Sequence, residues 1–383
     1  MRLGTFAAPN QIYGSRLLSM HDETECGTSE APAETPIGLR GKEGTRLKIL
    51  VIGGTGLTGP YIVRELIDTG HTVTVFHRGE SEVEMSTHVQ HLHGDRARID
   101  AYADELRRLE PDVVVDMAAM AYEDTIAVMR TFRGVAKRII GVSSADVYRA
   151  YDVLLGHDTG PLQPLPLTED ATLRSHLFPE GPDREKILVE RALLSDPDLP
   201  GTVLRYPMVY GQNDGGRIVD ELKRMDDRRP YIMLDQRQAT WRWSRGYAED
   251  VAHATVLAVV SDCAAGQTYN VGEPDALSMQ NWIEAVGRAA NWVGNVLRFP
   301  RAVLPAHLQS DLNWDQHWVL DTSRIRVELG YTEQVPRGEA LRRTVEWWRE
   351  AGPESIRPPF AVDASADTYA AEDAALARFR GGV

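Results

Sequence analysis

The densest chemistry in the chain is a glycine run, Gly53-Gly54-Thr55-Gly56-Leu57-Thr58-Gly59, set between an apolar stretch and a helical one. At this spacing Gly53 permits a tight turn and Gly56 lets the main chain approach a phosphate. Gly59 lets the following helix pack on the preceding strand. The unpaired N–H groups and positive dipole at that helix start favour the pyrophosphate of a dinucleotide, with Thr55, Leu57 and Thr58 as further contacts. About 20 residues further on, where an adenosine ribose is read, stand His77 and Arg78, with no acid to accept from a 2′-hydroxyl. The planar guanidinium of Arg78 suits a 2′-phosphate instead, which favours NADP(H) slightly over NAD(H). Asp95 is placed either to accept from an adenine amino group or to cap a helix.

These residues need a frame, and the pattern around them supplies one. Leu47–Ile52 is a near-continuous apolar run, as a buried parallel strand should be. Pro60–Asp68 carries apolar residues at helical spacing, with Gly70 where a C-cap belongs. The alternation continues: strands at Thr72–Phe76, Val89–His93, Val113–Asp116 and Arg138–Val142, helices at Ile99–Leu109 and Thr125–Arg133. Glu185–Leu194 reads as an amphipathic helix, followed by strands at Thr202–Arg205 and, later, Gln267–Val271. Strands and helices in turn predict an α/β fold, a Rossmann-type doubly wound parallel sheet with a smaller, mainly C-terminal substrate-binding lobe. Residues 47–211 and 240–272 fall to the dinucleotide-binding domain, and 212–239 and 273–350 to the lobe. Residues 1–46 read as a flexible extension and 351–383 as a tail with a short Ala-rich helix that packs on a neighbour, so a homodimer is an open expectation.

Composition narrows the partners. A formal charge of −14 over 383 residues repels phosphate backbones and anionic membranes, so neither nucleic acid nor a membrane is expected. Two cysteines, no signal-like N-terminus and no apolar run of membrane-spanning length point to a cytoplasmic protein without a disulfide framework. No His/Cys/Asp cluster has metal-ligand spacing, so no metal is expected.

Several landmarks in order carry a resemblance. They are the glycine run, Val142-Ser143-Ser144-Ala145-Asp146-Val147-Tyr148, Arg205-Tyr206-Pro207-Met208-Val209-Tyr210-Gly211, Tyr269-Asn270-Val271-Gly272, and Asp321-Thr322-Ser323 with Leu329-Gly330-Tyr331. Over roughly residues 47–350 the chain resembles the extended short-chain dehydrogenase/reductase superfamily, in its NAD-dependent epimerase/dehydratase branch. That resemblance implies a Ser/Thr, here Ser144, that hydrogen-bonds the reacting hydroxyl. It also implies a Lys, here Lys186, that grips the nicotinamide ribose, and a Tyr four residues before it that takes the proton.

That Tyr is absent: Pro182 stands four residues before Lys186, and proline has no ionisable group. Tyr148 and Tyr151 are candidate substitutes, with His157, His176, Glu180 and Asp183 behind them. Asp146 matches the acidic residue two beyond the Ser/Thr in the dehydratases of the family, where it abstracts a proton beside a transient ketone. A carboxylate partly buried there would have a raised pKa suited to that work. Met208 stands where nucleotide-sugar enzymes have an Asn, and Trp243 near their Arg. Trp241, Trp243 and Arg245 offer instead aromatic faces and a guanidinium for a small-molecule substrate, or else simply anchor the core. Three functions follow: transient oxidation of a sugar-like or nucleoside-like hydroxyl leading to epimerisation or dehydration, NADPH-dependent ketoreduction, or dinucleotide binding without catalysis.

Overall fold

The computed structural model describes residues 46–80, 89–178, 185–357 and 362–381. The expected extension at 1–46 lies, but for Arg46, outside them.

Along the chain run β1 (Lys48–Ile52), α1 (Gly59–Asp68), β2 (Thr72–His77), β3 (Gln90–His93), α2 (Ala103–Arg108), β4 (Val113–Asp116) and α3 (Tyr122–Phe132). Then come β5 (Arg138–Ser144), α4 (Arg149–Leu155), α5 (Lys186–Leu193) and β6 (Gly201–Tyr206). The segment Ile99–Leu109, expected as one helix, is split. Residues Arg96–Tyr102 form a 3₁₀ stretch broken at Arg98, and α2 begins only at Ala103.

Beyond Gly211 the elements are short and close together. They are β7 (Met208–Tyr210), α6 (Val219–Asp226), β8 (Tyr231–Asp235), α7 (Gln236–Thr240), β9 (Arg245–Tyr247), α8 (Ala248–Val260) and β10 (Thr268–Asn270). After them follow α9 (Met279–Ala289), β11 (Asn295–Phe299), α10 (Ser323–Leu329), α11 (Arg337–Ala351) and α12 (Ala366–Gly381).

Seven strands pair in the order β10-β6-β5-β4-β1-β2-β3, all parallel. This is the Rossmann-type doubly wound sheet. The strand order reverses between β1 and β4, the switch point where such sheets open a crevice at their carboxyl ends. Alternate side chains of each strand feed two cores. Ile49, Val51, Val73, Val75 and Val113 pack under α1 and α8. Leu50, Ile52, Phe76, Val114 and Ile139 pack under α2, α3 and α5. Both faces are thus buried, which is why the strands read as unbroken apolar runs.

The lobe has its own core, built where α6, β8, α9 and α11 bring Leu222, Met225, Ile232, Trp282, Val286 and Trp348 together. The final helix, expected to dock on a neighbour, packs on its own chain. Ala375 and Leu376 of α12 sit against Tyr231, Met233 and Phe299, while buried Glu372 receives Arg224 at 3.0 Å. No described helix is long and apolar enough to cross a membrane.

Candidate functional site

The glycine loop lies at the carboxyl end of β1, beside the switch point. Gly53 and Gly54 adopt φ of +91° and +74°, left-handed values that glycine tolerates without cost. A Cβ at Gly59 would lie 2.2 Å from the Gly54 carbonyl oxygen, so the helix can approach the strand only without one. A Cβ at Gly56 would meet no atom within 4 Å. There a side chain would project into open space in front of the α1 N-terminus, whose first turn holds no acid. An uncharged, positively polarised helix start behind an uncluttered glycine fits a dinucleotide pyrophosphate. Thr58 is buried in this turn, and Thr55 and Leu57 are half-buried beside it.

At the end of β2, His77 is buried and its Nε2 lies 2.9 Å from His91 Nδ1 on β3. The Gly79 N–H donates to His77 Nδ1 at 3.2 Å, which makes Nδ1 the acceptor and leaves Nε2 to carry the proton toward His91. Arg78 points to solvent, paired with Glu80 at 3.1 Å. Asp95 caps the 3₁₀ stretch, accepting from the Ala97 N–H at 3.0 Å. Of the two readings for Asp95, the capping contact is the one present.

Ser144, Asp146 and Lys186 come together at the ends of β5 and α5. Ser144 Oγ accepts from the Asp146 N–H at 3.3 Å, leaving its own O–H available to donate. Lys186 Nζ donates to the Val142 carbonyl at 3.0 Å and to the Ala119 carbonyl, so its ammonium is strung across the ends of β4 and β5. Burial drives the Lys186 pKa down, opposed by the negative charges of Asp146 and Asp116. Asp146 is shifted the opposite way: burial, with Glu185 adding to it, raises its carboxyl against the lowering effect of Ser144, Arg174 and Lys186. Its Oδ1 is buried with no hydrogen-bond partner among the described residues. Burial and an unmet acceptor set this carboxyl apart as a candidate for handling a proton.

Two ion pairs that the sequence did not reveal hold this constellation. Arg174, fully buried, donates to the Asp146 carbonyl at 2.5 Å and to Glu185 Oε1 at 2.9 Å. Glu185 in turn caps α5 through the Ile187 N–H, so one clamp sets both Asp146 and Lys186. Beneath the Ala119 carbonyl, buried Asp116 at the end of β4 takes Arg96. Neither pair has a sequence period: their members are 11 and 20 residues apart.

Other expected site residues fall elsewhere. Tyr148 is fully buried, its hydroxyl donating to Asn270 Oδ1 at 2.7 Å and accepting from Arg205 at 2.8 Å. Burial pushes its pKa up to about 12, so Tyr148 is a packing residue and is withdrawn from the proton-acceptor candidates. Tyr151 packs edge-on to Phe178 and, tilted, against Trp318. His157 and His176 both lean on buried Asp152. Pro182, Glu180 and Asp183 lie outside the described residues.

Of the substrate candidates, Met208 is part of the core shared with the lobe. Trp241 is buried with its Nε1 donating to the Gln316 carbonyl at 2.8 Å. Arg245 is 2 % exposed. These three substrate candidates therefore anchor the wall rather than form its surface. Trp243, half-buried, stacks parallel on Trp318 with centroids 5.7 Å apart.

Comparison with known proteins agrees with this geometry. A 2′-dehydrokanamycin reductase from Streptomyces kanamyceticus is 27 % identical over 286 residues, 73 % of this chain and 75 % of that protein. Among solved structures, the UDP-glucuronic acid 4-epimerase of Bacillus cereus superposes with a TM-score of 0.63 at 17 % identity, over 80 % of this chain and all of that one. The UDP-glucose 4-epimerase of Thermotoga maritima gives 0.61 at 19 % identity, over 80 % and 99 %. Both share the fold. Residues 49–272 match the NAD dependent epimerase/dehydratase family. With its glycine loop, switch-point crevice and lysine at the strand ends, the chain belongs to that family and is an enzyme of the extended short-chain dehydrogenase/reductase type.

Proposed function

We propose that the enzyme oxidises a hydroxyl of a sugar-like or nucleoside-like small molecule transiently, so that epimerisation or dehydration follows, with Asp146 handling the proton. The observation that carries this reading is the buried, unpartnered Oδ1 of Asp146 beside Ser144 and Lys186. Ser144 donates to the reacting oxygen, and Asp146 takes a proton in the place left by the absent tyrosine. Lys186 keeps a positive charge beneath both and has one N–H left for a ribose. A nicotinamide dinucleotide bound along the glycine loop would supply the hydride exchange.

Asp146→Asn tests the assignment, because an amide keeps the shape but takes no proton at neutral pH. The variant should bind dinucleotide as the wild type does and lose turnover by about two orders of magnitude or more on a panel of polyols and ketones. Full turnover in that variant would remove Asp146 from the chemistry.

A second reading, ketoreduction with NADPH consumed at each turnover, is favoured by Arg78 and by the similarity to a reductase. The Arg78–Glu80 pair is exposed, so a 2′-phosphate could displace Glu80 at little cost. Net consumption of NADPH against cycling of bound cofactor separates the two readings.

A further inference from the structure

Strand β4 is apolar until its last residue, where a carboxylate stands that the proposed chemistry does not use. Asp116 is 0 % exposed, and Arg96 grips it with a fork, Nε lying 3.0 Å from Oδ1. Another guanidinium nitrogen of Arg96 lies 3.1 Å from Asp124 on α3. A wholly buried ion pair is weak evidence of stabilisation, because apolar side chains of similar volume serve as well. Its surroundings give this one another use.

Asp116 ends the strand in a turn that meets the glycine loop on one side and Lys186 on the other. Its Oδ1 accepts the Ala118 N–H at 3.1 Å, closing the turn over Met117 as a short acidic side chain can. One residue on, the Ala119 carbonyl receives the ammonium of Lys186. The near side of the turn is held separately, for Met117 donates its N–H to the Ile52 carbonyl at 2.9 Å. There a Cβ on Gly53 would come within 3.3 Å of Met117 Cβ. Main chain thus fixes the side against the glycine loop, and the Asp116 carboxylate fixes the side that meets the lysine.

We propose that Asp116, clamped by Arg96, is a positioning residue for Lys186: it sets the Ala119 carbonyl so that the ammonium keeps one N–H turned to the nicotinamide ribose. This rests on the ribose contact given to Lys186 above and adds what aims it. An ammonium has three protons, and two of them go to the Val142 and Ala119 carbonyls. Where those two oxygens stand therefore dictates the direction of the third. Val142 is held in the sheet by pairing with Leu204 on β6. Ala119 lies past the end of β4, outside the ladder, so its carbonyl depends on the turn.

The test is calorimetry on the full chain with ADP and with ADP-ribose, which differ by the ribose that Lys186 would contact. Wild type should bind ADP-ribose about tenfold or more tightly than ADP, the scale of one charge-assisted hydrogen bond. Asp116→Ala should erase that preference and leave ADP binding unchanged. In Asp116→Asn an oxygen is still offered to the Ala118 N–H, and most of the preference should remain. Arg96 keeps Asp124 in both variants, so no cation is stranded. Should Asp116→Ala fail to fold, the same change combined with Arg96→Met removes both charges of the pair and carries the same measurement. In a Lys186→Met background, Asp116→Ala should add no further loss. Equal weakening of ADP and ADP-ribose, a preference kept in Asp116→Ala or lost in Asp116→Asn, or additive losses with Lys186→Met would overturn the proposal. A preference absent from wild type, or surviving Lys186→Met, would remove the ribose contact itself. One that Lys186→Met erases and Asp116→Ala spares would remove Asp116 alone.

Discussion

The two walls of the cleft are built on opposite plans. On the sheet side the contact surface is main chain: two left-handed glycines, a third without room for a Cβ, and a helix start free of acids. On the lobe side it is side chain, with half-buried Trp243 set on a buried layer. Trp241, Trp243, Trp314 and Trp318 interlock at centroid distances of 5.2–5.7 Å over buried charges. Main-chain recognition is indifferent to most substitutions and fails only where a Cβ intrudes. Side-chain recognition is re-cut by each exchange.

Substitutions can break or sharpen that contrast. The largest effect is expected where the walls meet. Arg174→Ala would leave Glu185 fully buried without its cation, costing about 3–5 kcal/mol in denaturation experiments. An unchanged midpoint would mean the clamp holds nothing. On the sheet side, Gly56→Val should keep the fold, because its Cβ meets no protein atom, yet weaken dinucleotide binding by about a hundredfold or more. A folded variant with wild-type affinity in calorimetry would remove the pyrophosphate from this loop.

Arg78→Ala should weaken NADP(H) by about tenfold or more, the scale of a lost charge-assisted contact, and spare NAD(H). Equal losses for both would separate Arg78 from any 2′-phosphate. The smallest effect is on stability. The Asp146 pKa is raised in the folded state, so between the unfolded and folded values the folded state binds more protons. Stability then falls as pH rises through that window. Asp146→Asn should therefore be slightly more stable than wild type at neutral pH and should flatten this slope in thermal scans from pH 4 to 8. A variant that loses stability at neutral pH would contradict the direction of the shift.

The sheet wall was legible because each signal is local. Val51 and Ile52 run straight into Gly53, and a strand buried on both faces needs no partner to be recognised. The elements after β6 were opaque for physical reasons. In α8, nine residues are buried around the helix, so Ala248–Val260 shows little amphipathic period. Strands β7 and β9 have three residues each, too few to alternate visibly. At the reactive centre, Ser144, Asp146 and Lys186 were found through a motif, whereas Arg174 and Glu185 were not. A buried ion pair across 11 residues of irregular chain leaves no pattern. Tyr148 failed as a candidate because residue type reveals a hydroxyl but not that Asn270 and Arg205 already hold it.

The clamp also bears on how this site can change. Phe178 donates its N–H to Glu185 Oε2 at 3.1 Å, and Arg174 grips the same carboxylate. Both ends of the intervening segment, which contains the position of the absent tyrosine, are thus tied to one point. Glu185 is therefore a common anchor for Phe178, Arg174 and the first turn of α5, and losing its carboxylate would release all three together.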